Sequence, residues 1–307
     1  MIDAATAFAE PLILTVAPNG AYKKRADHGA LPVTPEHLAD TAKRCLDAGA
    51  AMIHMHVRAD DERHSLDPAA YLLATETVRR AVGQELVIQI TTEAAQVYAP
   101  DEQVASVMAV SPEAVSVGLR EVAVGPEADA RVAKLFGWLA RERIMAQVIL
   151  YDTADVAQWQ SYRQRGVVPE APWFLLFVLG RYTAGQTSLP ADLLPFLAAD
   201  DRTYPWAMCA FGKHEHACAA AAAALGGHAR VGFENNLFLK DGSIAPDNAA
   251  LVKQAAQAGL DCGRRLATPD HVRRRFGGFR QRIRRQEGRR PHGAPFEDAT
   301  GSPPALA

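Results

Sequence analysis

Eight short apolar runs, rich in β-branched and long aliphatic residues, recur along the chain: PLILTVA (11–17), AMIHMHV (51–57), ELVIQIT (85–91), EAVSVGL (113–119), IMAQVILY (144–151), WFLLFVLG (173–180), YPWAMCAF (204–211) and HARVGF (228–233). Between them lie segments with helical spacing that open on helix-start signals, such as Thr34-Pro35-Glu36 before HLADTAKRCLDAG and Asp67-Pro68 before AAYLLATETVRRAV. Ser111-Pro112-Glu113 reads instead as a helix-to-strand connection. Strands that are apolar on both faces need cover on both faces, which alternating β and α units in a parallel sheet provide. Eight such units in roughly 250 residues favour a closed (β/α)8 TIM barrel over an open doubly wound sheet. The barrel is expected to occupy residues 1–267 as a single α/β domain.

With 307 residues, 49% of them hydrophobic, the chain is long enough to build that core. A formal net charge of −2 gives no bulk field to gather nucleic acid or a membrane surface. No run approaches the roughly 18 uninterrupted apolar residues of a membrane span, and the Ala-rich ACAAAAAALGG around residue 220 reads as a packed helix. Cys45, Cys209, Cys218 and Cys262 form no C-x-x-C pair and the N-terminus lacks a signal-peptide pattern, so a reduced, cytoplasmic protein is expected. From residue 268 the composition changes. Residues 273 to 290 hold nine arginines and one acid, and 291 to 307 are rich in Pro, Gly and Ala. That extension, 268–307, reads as a charged terminal helix followed by a partly disordered end. Clustered arginine could also serve phosphate contact or partner docking.

In a barrel, function lies at the C-terminal ends of the strands. His54 and His56 are two residues apart on the second run, so both side chains share one strand face. A hydrogen-bonded core histidine is the ordinary reading of a lone buried imidazole. Two on one face instead suit a divalent ion. Glu234, at the end of the eighth run, is the best third ligand, because the eighth strand of a closed barrel lies beside the first. Two histidines and a carboxylate with an open position suit a Lewis-acid Zn²⁺, though another divalent metal would also fit. Arg230, four residues earlier, must be paired if it is buried, either as a structural ion pair or to orient an acid or bind an anionic substrate. A rival pair, His214 and His216, sits at a helix start, where positions i and i+2 diverge by about 200°. Lys213 before it suits an anion at a helix N-terminus.

The chain has no G-x-S-x-G elbow, no P-loop and no G-x-G-x-x-G after a strand. Serine-hydrolase, nucleotide-hydrolysing and nicotinamide-dehydrogenase chemistry therefore lack their usual markers.

The order and spacing of PLILTVAPNGA, LPVTPEHLADTAKRCLDAGAAMIHMHVR, IQITTE, FVLG and HARVGFENN resemble the β-keto acid cleavage enzymes over about residues 11 to 270. The resemblance implies a (β/α)8 barrel binding Zn²⁺ through His54, His56 and Glu234. It implies condensation of a β-keto acid with acetyl-CoA as co-substrate, giving acetoacetate and a new CoA ester. It also places Thr91 with Arg230 and the residue at 235 at the reacting centre, and Thr92 and Ser116 with Thr91 at the substrate carboxylate. A homotetramer is the form the family suggests.

Two departures qualify that expectation. In the family an aspartate follows the metal-binding glutamate and pairs with the arginine as an acid/base dyad. Here it is Asn235, whose amide cannot accept a proton in that role. Glu93 and Asp152, just past strand ends, are the carboxylates to consider in its place. The glutamate that recognises an aminated substrate is replaced by Tyr22, so an aminated acid is not expected. Arg120, in GLRE, is expected to add a positive group to the substrate pocket and to favour a second carboxylate. Two other readings are a metal-dependent lyase or hydrolase acting without CoA, and a non-catalytic barrel that binds a keto acid or CoA ester.

Overall fold

The computed structural model describes residues 10–277. The eight apolar runs form β1 (Leu14–Val16), β2 (Met52–His54), β3 (Val87–Thr91), β4 (Ala114–Gly118), β5 (Met145–Leu150), β6 (Phe174–Leu179), β7 (Trp206–Ala210) and β8 (His228–Val231). They pair in parallel and in chain order, and β1 joins both β2 and β8, so the sheet closes into the expected (β/α)8 TIM barrel. The helix-start signals act where the sequence places them. Thr34 accepts a hydrogen bond from the His37 amide at the head of helix Pro35–Asp47, and Asp67 caps helix Pro68–Val82 through the amides of Ala69 and Ala70. The Ala-rich stretch is helix Glu215–Ala224, whose Cys218, Ala219, Ala222 and Ala223 are buried. Among the described residues, no helix is long and apolar enough to cross a membrane.

Strand alternation divides the core in two. Leu14, Ile53, Ile88, Val115, Val148, Leu175, Met208 and Ala229 point outward into the helix layer. Ile13, Met52, Val87, Ala114, Met145, Phe174 and Ala207 point inward and fill the N-terminal end of the barrel. One or two steps further along each strand the inward residues turn polar: His54, Gln89, Thr91, Ser116, Gln147 and Arg230, all buried. An apolar plug below and a polar layer above fix where chemistry is possible.

Helix Pro269–Phe276 closes the plug. Val272 and Phe276 join the inner core, and the Phe276 ring stacks on Phe174 with centroids 4.7 Å apart. Arg273 donates to Glu113 (2.7 Å) and to the carbonyls of Gln84 (2.6 Å) and Leu86 (3.0 Å), while Arg79 holds the other oxygen of Glu113. The sequence reading assigns this segment to the extension beginning at 268, yet residues 269–276 form the floor of the barrel. The rest of that extension lies outside the described residues.

Behind β8, Glu215 is buried and accepts from the Gly232 amide (3.1 Å) and the Asn236 side chain (3.2 Å), which fastens the loop carrying Glu234. Burial pushes its carboxyl up to about 8, against the opposing effects of those hydrogen bonds and of Lys23.

Two outcomes are expected. Phe276→Ala should cost about 3 kcal/mol of stability, as other buried Phe truncations do, read from the shift in urea midpoint. A terminal helix merely appended to the barrel would show no shift. Because the folded-state value for Glu215 lies above the unfolded one, ionisation of this carboxyl opposes folding. The stability that the protonated carboxyl lends the fold is fully present below about pH 4.5 and is lost progressively up to about pH 8. Glu215→Gln should therefore flatten the fall in stability between those limits, measured by urea unfolding across pH.

Candidate metal centre

The barrel seam brings the two ends of the chain together. β1 runs between β2 and β8, with Thr15 in register with Met52 on one side and Arg230 on the other. Past the strand ends, the Glu234 amide donates to the Ala17 carbonyl at 3.0 Å. Two glycines permit that close approach. Gly232 has φ +140°, and a Cβ there would lie 2.4 Å from the Ala17 oxygen. Gly20 has φ +59°, and its Cβ would fall 2.5 Å from Cγ of Glu234.

Glu234 thereby meets His54 and His56 across the top of β1. Its Oε2 lies 3.5 Å from Nε2 of His54 and 3.6 Å from Nε2 of His56, and the two Nε2 atoms are 3.0 Å apart. Hydrogen bonds behind the rings decide which nitrogens carry protons. Nδ1 of His54 is 2.9 Å from Oε1 of Gln89, an acceptor, so it is the protonated nitrogen. His64 gives its Nε2–H to the Glu93 carbonyl (2.9 Å), which leaves its Nδ1 to accept from Nδ1 of His56 at 3.4 Å. Both histidines then turn bare Nε2 lone pairs toward one point.

Electrostatics agree with this assignment. Burial, aided by the charge of Arg230, pushes His54 well below its ordinary value, so the ring is neutral. Burial alone would raise Glu234, but the charge of Arg230 holds its carboxyl well below the usual range. Arg230 donates through Nη2 to Oε1 of Glu234 at 3.1 Å. The other oxygen, Oε2, is buried with no hydrogen-bond partner. Two nitrogen lone pairs and a carboxylate oxygen, with no proton among them, repel one another unless a cation sits between. This N,N,O donor set fits Zn²⁺.

The centre forms the floor of a cleft of about 470 Å³. Nε and Nη1 of Arg230 are buried, without partners, and belong to a residue of the cleft wall. Thr91 also lines it. Its Oγ1 accepts from the Glu93 amide (3.0 Å) and from the Ser116 hydroxyl (3.4 Å), which leaves its own proton for a ligand. Tyr22 donates to Oε1 of Glu93 at 3.2 Å, and both line the cleft.

Other predicted residues stand elsewhere. Ser116 is behind Thr91, and Thr92 turns its hydroxyl to the Gly118 amide (3.4 Å). Asn235 is buried outside the cleft wall, with its amide toward the Arg230 carbonyl (3.5 Å) and close enough to Glu215 to oppose slightly the upward push of burial on that carboxyl. Lys213 is exposed on the turn before helix Glu215–Ala224, also away from the cleft. His214 and His216 form no cluster with other metal-ligating groups among the described residues.

Arg120 corrects the expectation placed on it. It belongs to the short helix Leu119–Val122 after β4, and its charge is cancelled by Asp152 (2.5 Å) and Asp155 (2.8 Å). Its guanidinium lies against the rings of Tyr151 and Tyr182, behind the cleft wall. Asp152, engaged there and capping helix Thr153–Gln164, likewise stands off the cleft.

Several residues of the site escape a reading by motif. Asn19 exchanges hydrogen bonds with the backbone of His56, donating to its carbonyl (2.8 Å) and accepting its amide (3.2 Å). Lys23 donates to the Glu234 carbonyl at 2.7 Å. Gln89 had a legible signal, being polar in an apolar run and in register with His54. Arg181, after β6, supplies the positive charge that Arg120 does not.

The profile of the beta-keto acid cleavage enzymes matches residues 11–277. A 3-keto-5-aminohexanoate cleavage enzyme of Fusobacterium nucleatum is 30% identical over 86% of this chain and 97% of its own. A 3-oxoadipate:acetyl-CoA acetyltransferase of Cupriavidus necator is 28% identical over 87% and 95% respectively. Among solved structures, ObcA in a ternary complex with a C4-CoA adduct and oxalate superposes with a TM-score of 0.63 at 18% identity, over 81% of this chain and 67% of that one, a likeness of fold. With its barrel and the match over the whole described core, the chain belongs to the β-keto acid cleavage enzyme family and is a carbon–carbon bond-cleaving acyltransferase of that type.

Proposed function

We propose that the protein condenses a β-keto acid with acetyl-CoA and releases acetoacetate and a new acyl-CoA, using a zinc ion held by His54, His56 and Glu234. The observation that carries the reading is the convergence of three unprotonated donor atoms on one point at the base of an open cleft. A divalent ion bound there would polarise the ketone and carboxylate oxygens of the acid and make its C2 proton acidic.

The chain's own residues supply the remaining steps. Among the described residues, Glu93 is, besides Glu234, the carboxylate on the cleft wall. It takes the C2 proton, and the resulting carbanion attacks the acetyl carbonyl and expels the CoA thiolate. The thiolate then attacks the original ketone, the C2–C3 bond breaks, and the proton returns to C2 of acetoacetate. Atoms and charge balance without a further reactant. The unpartnered Nε and Nη1 of Arg230 and the hydroxyl of Thr91 are donors for the oxygens on which negative charge gathers. Tyr22 and the Ala95 amide fix the carboxylate of Glu93. Asn235 has a positioning part only. With Tyr22 on the wall in place of a carboxylate, an aminated acid is not the substrate. The family likeness also supports a cytoplasmic homotetramer as the working form.

Metal-loaded protein incubated with acetyl-CoA and a panel of β-keto acids should yield new CoA esters detectable by mass. Cleavage that proceeds equally without acetyl-CoA would instead make it a lyase or hydrolase. Purified protein should carry about one zinc per chain, and His54→Ala should lose it, as read by elemental analysis. Retention of the metal by that variant would remove the centre of the proposal. Glu93→Gln should lower kcat about 100-fold or more while metal content stays intact. A change confined to KM would move the base elsewhere.

A further inference from the structure

Arg181 is the one cleft-lining cation, among the described residues, whose side chain has no hydrogen bond or ion pair. Lys23 is spent on the Glu234 carbonyl and Arg230 on the Glu234 carboxylate. The guanidinium of Arg181 is instead held by ring faces, with its carbon 4.7 Å from the centroid of Tyr22, 5.2 Å from Phe211 and 5.9 Å from Tyr182. Aromatic faces orient a guanidinium and desolvate it in part without consuming its N–H donors. A half-buried arginine kept this way is preorganised for an anion that is not part of the protein.

A chain of contacts gives its position along the cleft. His56 leans on His64, His64 donates to the Glu93 carbonyl, the Glu93 carboxylate accepts from Tyr22, and the Tyr22 ring lies under Arg181. Arg181 therefore shares the cleft wall with the histidines and is linked to them through Tyr22, Glu93 and His64. An acid whose keto and carboxylate oxygens lie at the metal centre would have its other end in the same cleft, where Arg181 is the cation open to it. The charge inventory points the same way. Lys23, Arg181 and Arg230 face two carboxylates, Glu93 and Glu234, so the wall carries one excess positive charge even without an ion.

We propose that Arg181 reads a second, distal carboxylate, so that the substrate is a β-keto diacid. The five N–H groups of a guanidinium accept a carboxylate in bidentate fashion. A neutral chain end would leave them desolvated and unpaired, and an ammonium end would be repelled. This rests on the condensation proposed above, and the test separates the two.

Three six-carbon β-keto acids of equal length, ending in a carboxylate, a methyl or an ammonium group, would be compared on the metal-loaded enzyme with acetyl-CoA. The diacid should be preferred by about 100-fold in kcat/KM. Arg181→Met should abolish that preference, lowering the diacid far more than the methyl-ended acid, and Arg181→Lys should restore part of it. Calorimetric binding of the diacid without acetyl-CoA should weaken in parallel in Arg181→Met, with zinc content unchanged. Preference for the ammonium-ended acid, an equal fall on all three, or a rise confined to the KM of acetyl-CoA would overturn the assignment. Should no acid give a CoA ester, the condensation fails. The calorimetric comparison of wild type with Arg181→Met still decides the role of Arg181.

Discussion

Nε2 of His54, Nε2 of His56 and Oε2 of Glu234 face one another with no proton to share. Three acceptors in a buried position are costly unless a cation joins them. The surroundings are arranged to keep that cost from relaxing. Gln89 and His64 direct the ring protons away from the centre, and Arg230 keeps Glu234 ionised. Loss of any one of these would let a proton take the cation's place, because a rotated tautomer or a protonated carboxyl satisfies the same geometry with an ordinary hydrogen bond. The supporting residues thus decide whether the site holds metal at all.

The fold meets this demand at its seam. A parallel barrel closes where its last strand meets its first, and β1 is here the spacer that sets the distance between the β2 histidines and the β8 loop. Gly20 and Gly232 let the loops after β1 and β8 approach within backbone contact, which side chains larger than hydrogen would prevent. Closure energy and ligand geometry are therefore the same interaction seen from two sides. The inward plug of Met52, Phe174 and Phe276 stabilises the closed barrel from below and keeps the polar layer above it from sinking into the core.

The sequence carried the barrel in plain view, because eight apolar runs at regular spacing have few other solutions. His54 and His56 were equally legible, since period-two placement in an apolar strand has no cheap structural explanation. Glu234 needed only the closure rule to be brought beside them. What was not legible was where a side chain goes once it leaves a strand. Arg120 and Arg181 both follow strand ends, in GLRE and LGRY, and the sequence gives no sign that one meets two aspartates while the other meets three rings. The first belongs to a short helix that turns it outward, and the second follows Gly180, whose φ of +74° swings the chain back over the cleft. Loop conformation decides such cases. Asn19 is another, an asparagine in a loop whose side chain ties the His56 backbone to the Pro32 carbonyl.

The placement of Asn235 changes what its presence means. An aspartate there would set a second carboxylate beside buried Glu215, whose own ionisation burial already opposes. The amide avoids that conflict and helps hold the β8 loop. In the proposed reaction the proton acceptor is instead Glu93, which follows β3 on the cleft wall and does not draw on Arg230, already bound to Glu234. In that proposal one carboxylate, Glu234, is committed to the cation and the other, Glu93, is free to exchange a proton. A neighbouring acid on the same loop would have both compete for one guanidinium.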